Sequence, residues 1–208
     1  MQGASRTKRT LQNSGMALLL FLIQLAVGFY SRKVFLDYLG AEVLGLNTTL
    51  GNILSLMNLA DLGIGIAIAT SLYKPINDND YEKICEIITV EGLFFRRVIL
   101  AVLCMAMIVM CLIPYFFPNT ECGLAYVYIA FLVFLFSSLS GYLWNYRQVL
   151  IAADQKNFKL LPWKHVVRYG TIGMQIVSLL ILHLGFWGWI FWEFIGNVAA
   201  IFVINYVL

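Results

Sequence analysis

The residues of this chain whose types and spacing could do chemistry are a few polar groups set inside apolar sequence: Arg32, Lys33, Asn47, Asn58, Asp61 and Glu193. A charge in hydrocarbon costs a few kcal/mol or more, so an ionisable residue in such surroundings turns toward a partner, a watery cavity or a ligand. Arg32 and Lys33 suit either a buried pair with an acid or a path for an anionic head group. Their alternative role is interfacial, with long stems lying along the helix and charged ends reaching the head groups. Asn47, Asn58 and Asp61 belong to a series, Asn47, Gly51, Leu54, Asn58, Asp61 and Gly65, whose spacings of three and four place it on one helical stripe. The stripe is expected to face other helices or a cavity. Amide and small side chains also hold membrane helices together, which is the competing account of its Asn and Gly positions.

The elements that must position these groups are membrane helices. Of the 208 residues 61% are hydrophobic and 12% charged, with a mean hydropathy of +0.83, too little charge to cover a soluble globule. The net charge of +3 is spread between apolar segments and forms no single patch, so nucleic acid is not an expected partner. Membrane lipids are. The four cysteines show no C-x-x-C pair, and Cys104 and Cys111, inside an apolar run, read as small core side chains. No metal site and no cofactor is expected.

Six spans are predicted, at about 11–36, 45–72, 96–117, 123–147, 168–184 and 187–208. Tyr73-Lys74-Pro75 is expected to end the second. Asp80 is placed to cap a helix starting at Tyr81, with Glu82 in its first turn. Arg147, Lys156, Lys159, Lys164 and Arg168 are expected in an inner loop. The last forty residues exceed one crossing, and the turn between them is predicted at His183 to Gly188. Twelve of the fourteen basic residues then fall in cytoplasmic segments, all but Arg32 and Lys33, which places both termini inside. The fold class expected is therefore an all-α integral membrane protein, a six-span transmembrane helix bundle forming one domain.

No catalytic residues are expected. Asp78-Asn79-Asp80 has the D-x-D shape used by glycosyltransferases, yet a turn and a helix cap account for both carboxylates. Gly63-Ile64-Gly65 lies in an apolar helix and not after a strand, so close helix packing explains it better than a dinucleotide site. The chain is read as a protein that is not an enzyme.

Three phrases carry a resemblance to a known family: Phe29-Tyr30-Ser31-Arg32-Lys33-Val34-Phe35, Leu39-Gly40-Ala41-Glu42-Val43-Leu44-Gly45-Leu46-Asn47, and Leu59-Ala60-Asp61-Leu62-Gly63-Ile64-Gly65 followed by Leu72-Tyr73-Lys74-Pro75. Together they resemble the start of bacterial polysaccharide flippases, the O-antigen and capsule repeat-unit transporters of the multidrug/oligosaccharidyl-lipid/polysaccharide exporter superfamily. The resemblance is specific over residues 29–83 and beyond them rests on span count and topology. It implies a multi-pass protein of the bacterial cytoplasmic (inner) membrane that flips an undecaprenyl-diphosphate-linked oligosaccharide by alternating access. It also implies substrate binding by Arg32 or Lys33 at the diphosphate and by Asn47 and Asn58 at head group or sugar. Asp61 would pair with a cation, and Asp61 or Glu193 would couple to an ion. Such transporters have two six-helix lobes, so this chain is expected to be the first lobe, with a second transmembrane lobe as its partner.

Two rivals are distinct in their chemistry. A drug/cation antiporter of the same superfamily needs a pocket dominated by carboxylates such as Asp61 and Glu193, and a membrane scaffold for glycan-assembly enzymes needs no transport path.

Overall fold

The computed structural model describes residues 2–57, 64–118, 120, 122–144, 148–153 and 157–207, with the side chains of 2–14, 16, 17, 152, 157–159 and 207 outside the description. Among the described residues the protein is all-helical with no strand, and four helices are long and apolar enough to cross a membrane: Leu18–Met57, Tyr81–Phe116, Leu124–Leu143 and Gly185–Tyr206. It is a membrane-embedded helix bundle.

Helix α1 (Gln2–Met57) is broken at Gly40, whose φ of 82° and ψ of 168° are open only to glycine. Forty residues of continuous helix would run about 60 Å, twice a bilayer core, so a break there is what the length demands. Its buried side chains, Val34, Phe35, Leu39, Val43, Leu46, Leu50, Leu54 and Met57, recur at three and four and face the other helices. Leu54 of the predicted polar stripe is buried, and Asn47 and Gly51 are half-buried. Asn58 and Asp61 lie outside the described residues.

Helix α2 (Ile64–Asp78) continues past the expected stop, with Pro75 buried inside it and Asn79 at φ 54° making the turn. A proline lacks an N–H and need not end a helix that has only one more turn to make. Helix α3 (Tyr81–Phe116) begins as expected: Asp80 Oδ1 accepts from the Lys83 backbone N–H at 3.1 Å, and Glu82 sits in the first turn. Cys104 and Cys111 correct the sequence reading, since both are exposed. The buried face of α3 is set by Glu91, Phe95, Val98, Val102, Ala106 and Ile113, and the two cysteines fall off that stripe.

Helix α4 (Leu124–Leu143) runs antiparallel to α3, fixed by Tyr128 Oη donating to the Met110 carbonyl and by the Phe95 and Tyr142 rings 5.3 Å apart. A short α5 (Gln148–Ala153) follows and contacts α2. Helix α6 (Asn157–Leu180) then occupies sequence expected as loop, because the helix extends amino-terminally through Pro162. The turn at 181–184, closed by His183 at φ 50° and Gly185 at φ 58°, starts two residues before the predicted window, overlaps it at 183–184 and leads to α7 (Gly185–Val207).

The α6–α7 hairpin is the tightest contact of the fold. A Cβ at Gly196 would overlap the Thr171 side chain, and one at Gly188 would come 3.2 Å from Ser178 Oγ. Small residues let two backbones approach closely where lipid supplies no hydrophobic drive to bring them together.

Candidate functional site

Helix α6 carries polar residues at Lys164, Arg168, Thr171, Gln175 and Ser178, spacings of four, three, four and three that align them along one side. Because α6 starts at Asn157, Arg168 is not in a loop but twelve residues before the helix end, about 18 Å along its axis. There its Nη1 meets Glu193 of α7 at 3.1 Å from Oε1 and 3.3 Å from Oε2. Gln175, 1% exposed, donates from Nε2 to Glu193 Oε2 at 2.9 Å and to the Trp189 carbonyl at 3.3 Å. Asn197 donates from Nδ2 to the Glu193 backbone carbonyl at 2.9 Å, and its Oδ1 accepts from Ser137 Oγ of α4 at 2.8 Å. The Glu193 carboxylate thus ties α7 to α6 through two hydrogen-bonded partners, the condition under which a charge is tolerated away from water, while Asn197 links α7 to α4.

The α1 side of α6 opens into two adjoining recesses. The first, about 570 Å³, is lined by Gln24, Arg32, Lys164, His165 and Arg168 among apolar neighbours. The second, about 300 Å³, is lined by Ser31, Arg32, Asn47, Thr48, Arg168 and Gln175, with Phe35 and Trp189. They share Gly28, Arg32, Arg168 and Ile172, so together they form one groove with two guanidinium groups at its middle. Loss of solvent in the first recess holds Lys164 below the ordinary lysine value. Around it, His165 stacks on Tyr169 with ring centres 5.5 Å apart. The Tyr169 hydroxyl donates to the Leu20 carbonyl at 3.3 Å, which joins α6 to α1.

A groove with two guanidinium groups, a lysine, amides and hydroxyls offers donors and no carboxylate in its lining. Its chemistry is the capture of an anion with several oxygens: guanidinium groups match phosphoryl oxygens two at a time, and the lysine adds a point charge. A further recess, about 790 Å³ between α3, α4 and α5, has Arg96 as its single charged lining residue and is otherwise mostly apolar.

Of the residues singled out in the sequence, Arg32 and Asn47 line the groove. Asn47 donates from Nδ2 to the Tyr126 hydroxyl at 3.3 Å, and its buried Oδ1 has no partner. Lys33, one position round the helix from Arg32, is exposed and lines neither recess. Glu193 is present as the partner of Arg168 and not as a groove wall. Lys164, His165, Arg168 and Gln175 were not anticipated. The signal for them is the 4-3-4 spacing on α6, masked in the sequence by the resemblance of Lys164 and Arg168 to loop charges. Among the described residues no three of His, Cys, Asp and Glu come together as metal ligands.

No protein-family model, curated protein or solved structure matches this chain.

Proposed function

We propose that this chain is one lobe of a flippase that carries a diphosphate-linked, lipid-anchored oligosaccharide across the bacterial cytoplasmic membrane. The observation that carries the reading is the groove in which Arg32 of α1 and Lys164 and Arg168 of α6 converge. A diphosphate bears its charge on several oxygens, so a pair of guanidiniums and an ammonium can neutralise it where lipid would not. Asn47 and Thr48, in the adjoining recess, supply hydrogen bonds suited to sugar hydroxyls. The second lobe would complete the cavity, and rocking of the two lobes about it would expose the groove to each side in turn. The sequence resemblance over residues 29–83 points to the same substrate class, the undecaprenyl-diphosphate-linked repeat unit.

The antiporter rival fits this geometry less well. It needs a carboxylate open to an organic cation, whereas the side chain of Glu193 is 14% exposed and already pairs with Arg168.

The test uses the full-length transporter in cells, with surface glycan as the readout and membrane abundance measured alongside. Arg32→Glu with Lys164→Glu should lower export more than tenfold at normal abundance, while Lys33→Glu, outside the groove, should leave it within about twofold. Normal export in the groove double variant would overturn the proposal.

A further inference from the structure

We infer that Glu193 is a resident competitor for Arg168, setting the threshold that an anion must pass to enter the groove and thereby favouring polyanionic phosphoryl groups over carboxylates. This rests on the anion-groove reading proposed above and adds to it the residue that decides which anions can bind.

The two members of the ion pair are held differently. Glu193 is fixed from inside: Gln175, itself buried, donates to Oε2 at 2.9 Å, and the carboxylate lines neither recess. Arg168 is 58% exposed at its side chain and lines both recesses. The acid is therefore the anchored partner and the guanidinium the one that faces an incoming ligand. That ligand meets an Nη1 already shared between Oε1 and Oε2 at 3.1 and 3.3 Å.

A single carboxylate entering the groove would exchange like for like at Arg168 and still lose its own freedom of motion, so it gains little. A diphosphate reaching Arg32, Arg168 and Lys164 together exchanges one carboxylate contact for several charge-assisted ones. When Arg168 turns to such a ligand, Gln175 still donates to the Glu193 carboxylate. The internal pair is thus released without leaving its acid unbonded. The apparent affinity of any ligand that needs Arg168 is reduced by the fraction of time Arg168 is held by Glu193.

The experiment uses the full-length protein in detergent micelles, inorganic pyrophosphate as probe, isothermal titration as readout and thermal unfolding of every variant. Glu193→Gln keeps the shape and removes the competing charge, and should bind pyrophosphate about tenfold more tightly than the parent. Asp37→Asn removes one exposed negative charge outside the groove lining and should stay within about twofold, which separates competition from a general change in charge. In Glu193→Ala, excess acetate should weaken pyrophosphate binding back toward the parent value, while in the parent acetate should have little effect. A purely structural glutamate would give no such carboxylate dependence.

Equal or weaker binding in a folded Glu193→Gln overturns the inference and leaves the groove reading standing. Should that variant unfold, Glu193→Asp, whose shorter side chain draws back from Arg168, should still tighten binding, and failure to do so overturns the inference. Absence of pyrophosphate binding in the parent and in every folded variant removes the groove reading and this inference together.

Discussion

The α3–α4 and α6–α7 hairpins are both antiparallel helix pairs in one bundle, but different forces hold them. Between α3 and α4 the buried faces are mostly apolar, Val98, Val102, Ala106 and Ile113 with Val127, Ala130, Phe131 and Leu135, and Tyr128 Oη donates to the Met110 carbonyl while Glu91 is the one acid among the buried residues of α3. Between α6 and α7 the contact is a short approach at Gly188 and Gly196 and a polar chain through Arg168, Glu193 and Gln175. In lipid the apolar pair gains only closeness of packing, since tails are as apolar as valine. The polar pair gains specificity instead, because each donor has one acceptor that suits it and the alternative is an unsatisfied group in hydrocarbon. It is also the pair that borders the groove. A helix contact with an ion pair at its edge can present one of the charges to a ligand, which the mostly apolar faces of α3 and α4 cannot do.

The sharpest way to break this comparison is to remove the charge on one side of the polar pair. Arg168→Leu leaves Glu193 little exposed with Gln175 still donating to it, and because Arg168 itself is 58% exposed the cost falls between those of a surface pair and a buried one, at roughly 2.5 kcal/mol. Unfolding of the purified protein in mixed detergent micelles should show that loss. The double variant Arg168→Leu with Glu193→Leu should recover most of it, because the stranded charge is gone. If the single variant is as stable as the parent, the pair is not a structural tie and the contrast between the hairpins fails.

On the apolar side the expected loss is smaller and has no partner-specific remedy. Val102 is 1% exposed on α3, and Val102→Ala removes two methyl groups from a packed interface, a cost of about 2 kcal/mol. Unlike the polar case, no single substitution on α4 should restore it except one that adds volume. Recovery by a smaller side chain at Val127 or Ala130 would show that the interface is strained, not close-packed.

What the sequence reveals of this molecule follows the same division. Helix ends governed by local chemistry are readable, as at Asp80 with its bond to the Lys83 amide and at the turn through His183 and Gly185. The groove was half readable: Arg32 and Asn47 stand out as polar residues in apolar sequence, and Glu193 stands out as an acid. Its other wall was not, because Lys164 and Arg168 look like the cytoplasmic charges that usually flank a span. Pro162 gave no sign that the helix would pass through it and set them on one helical face. A charge pattern locates basic residues along the chain but not the partners they meet, here for Arg168 the Glu193 of α7 twenty-five positions on. Cys104 and Cys111 failed for a related reason, since an apolar run does not say which of its faces meets lipid and which meets protein.

The smallest effect lies where the two regions meet. Ser137 of α4 donates to Asn197 Oδ1 of α7 at 2.8 Å, and the same Asn197 donates to the Glu193 carbonyl, so this hydroxyl is the last link between the apolar half and the ion pair. Hydrogen bonds between membrane helices average about 0.6 kcal/mol, because the unfolded chain in the membrane finds other partners. Ser137→Ala should therefore cost about that much in the same unfolding assay. Combined with Arg168→Leu, the two losses should add to within about 0.5 kcal/mol, since Ser137 reaches Glu193 only through Asn197 and the Glu193 backbone carbonyl. A coupling of 2 kcal/mol or more would mean that the ion pair and the α4 contact respond as one unit. The line drawn here between a polar, ligand-facing hairpin and an apolar, supporting one would then have to move to include α4.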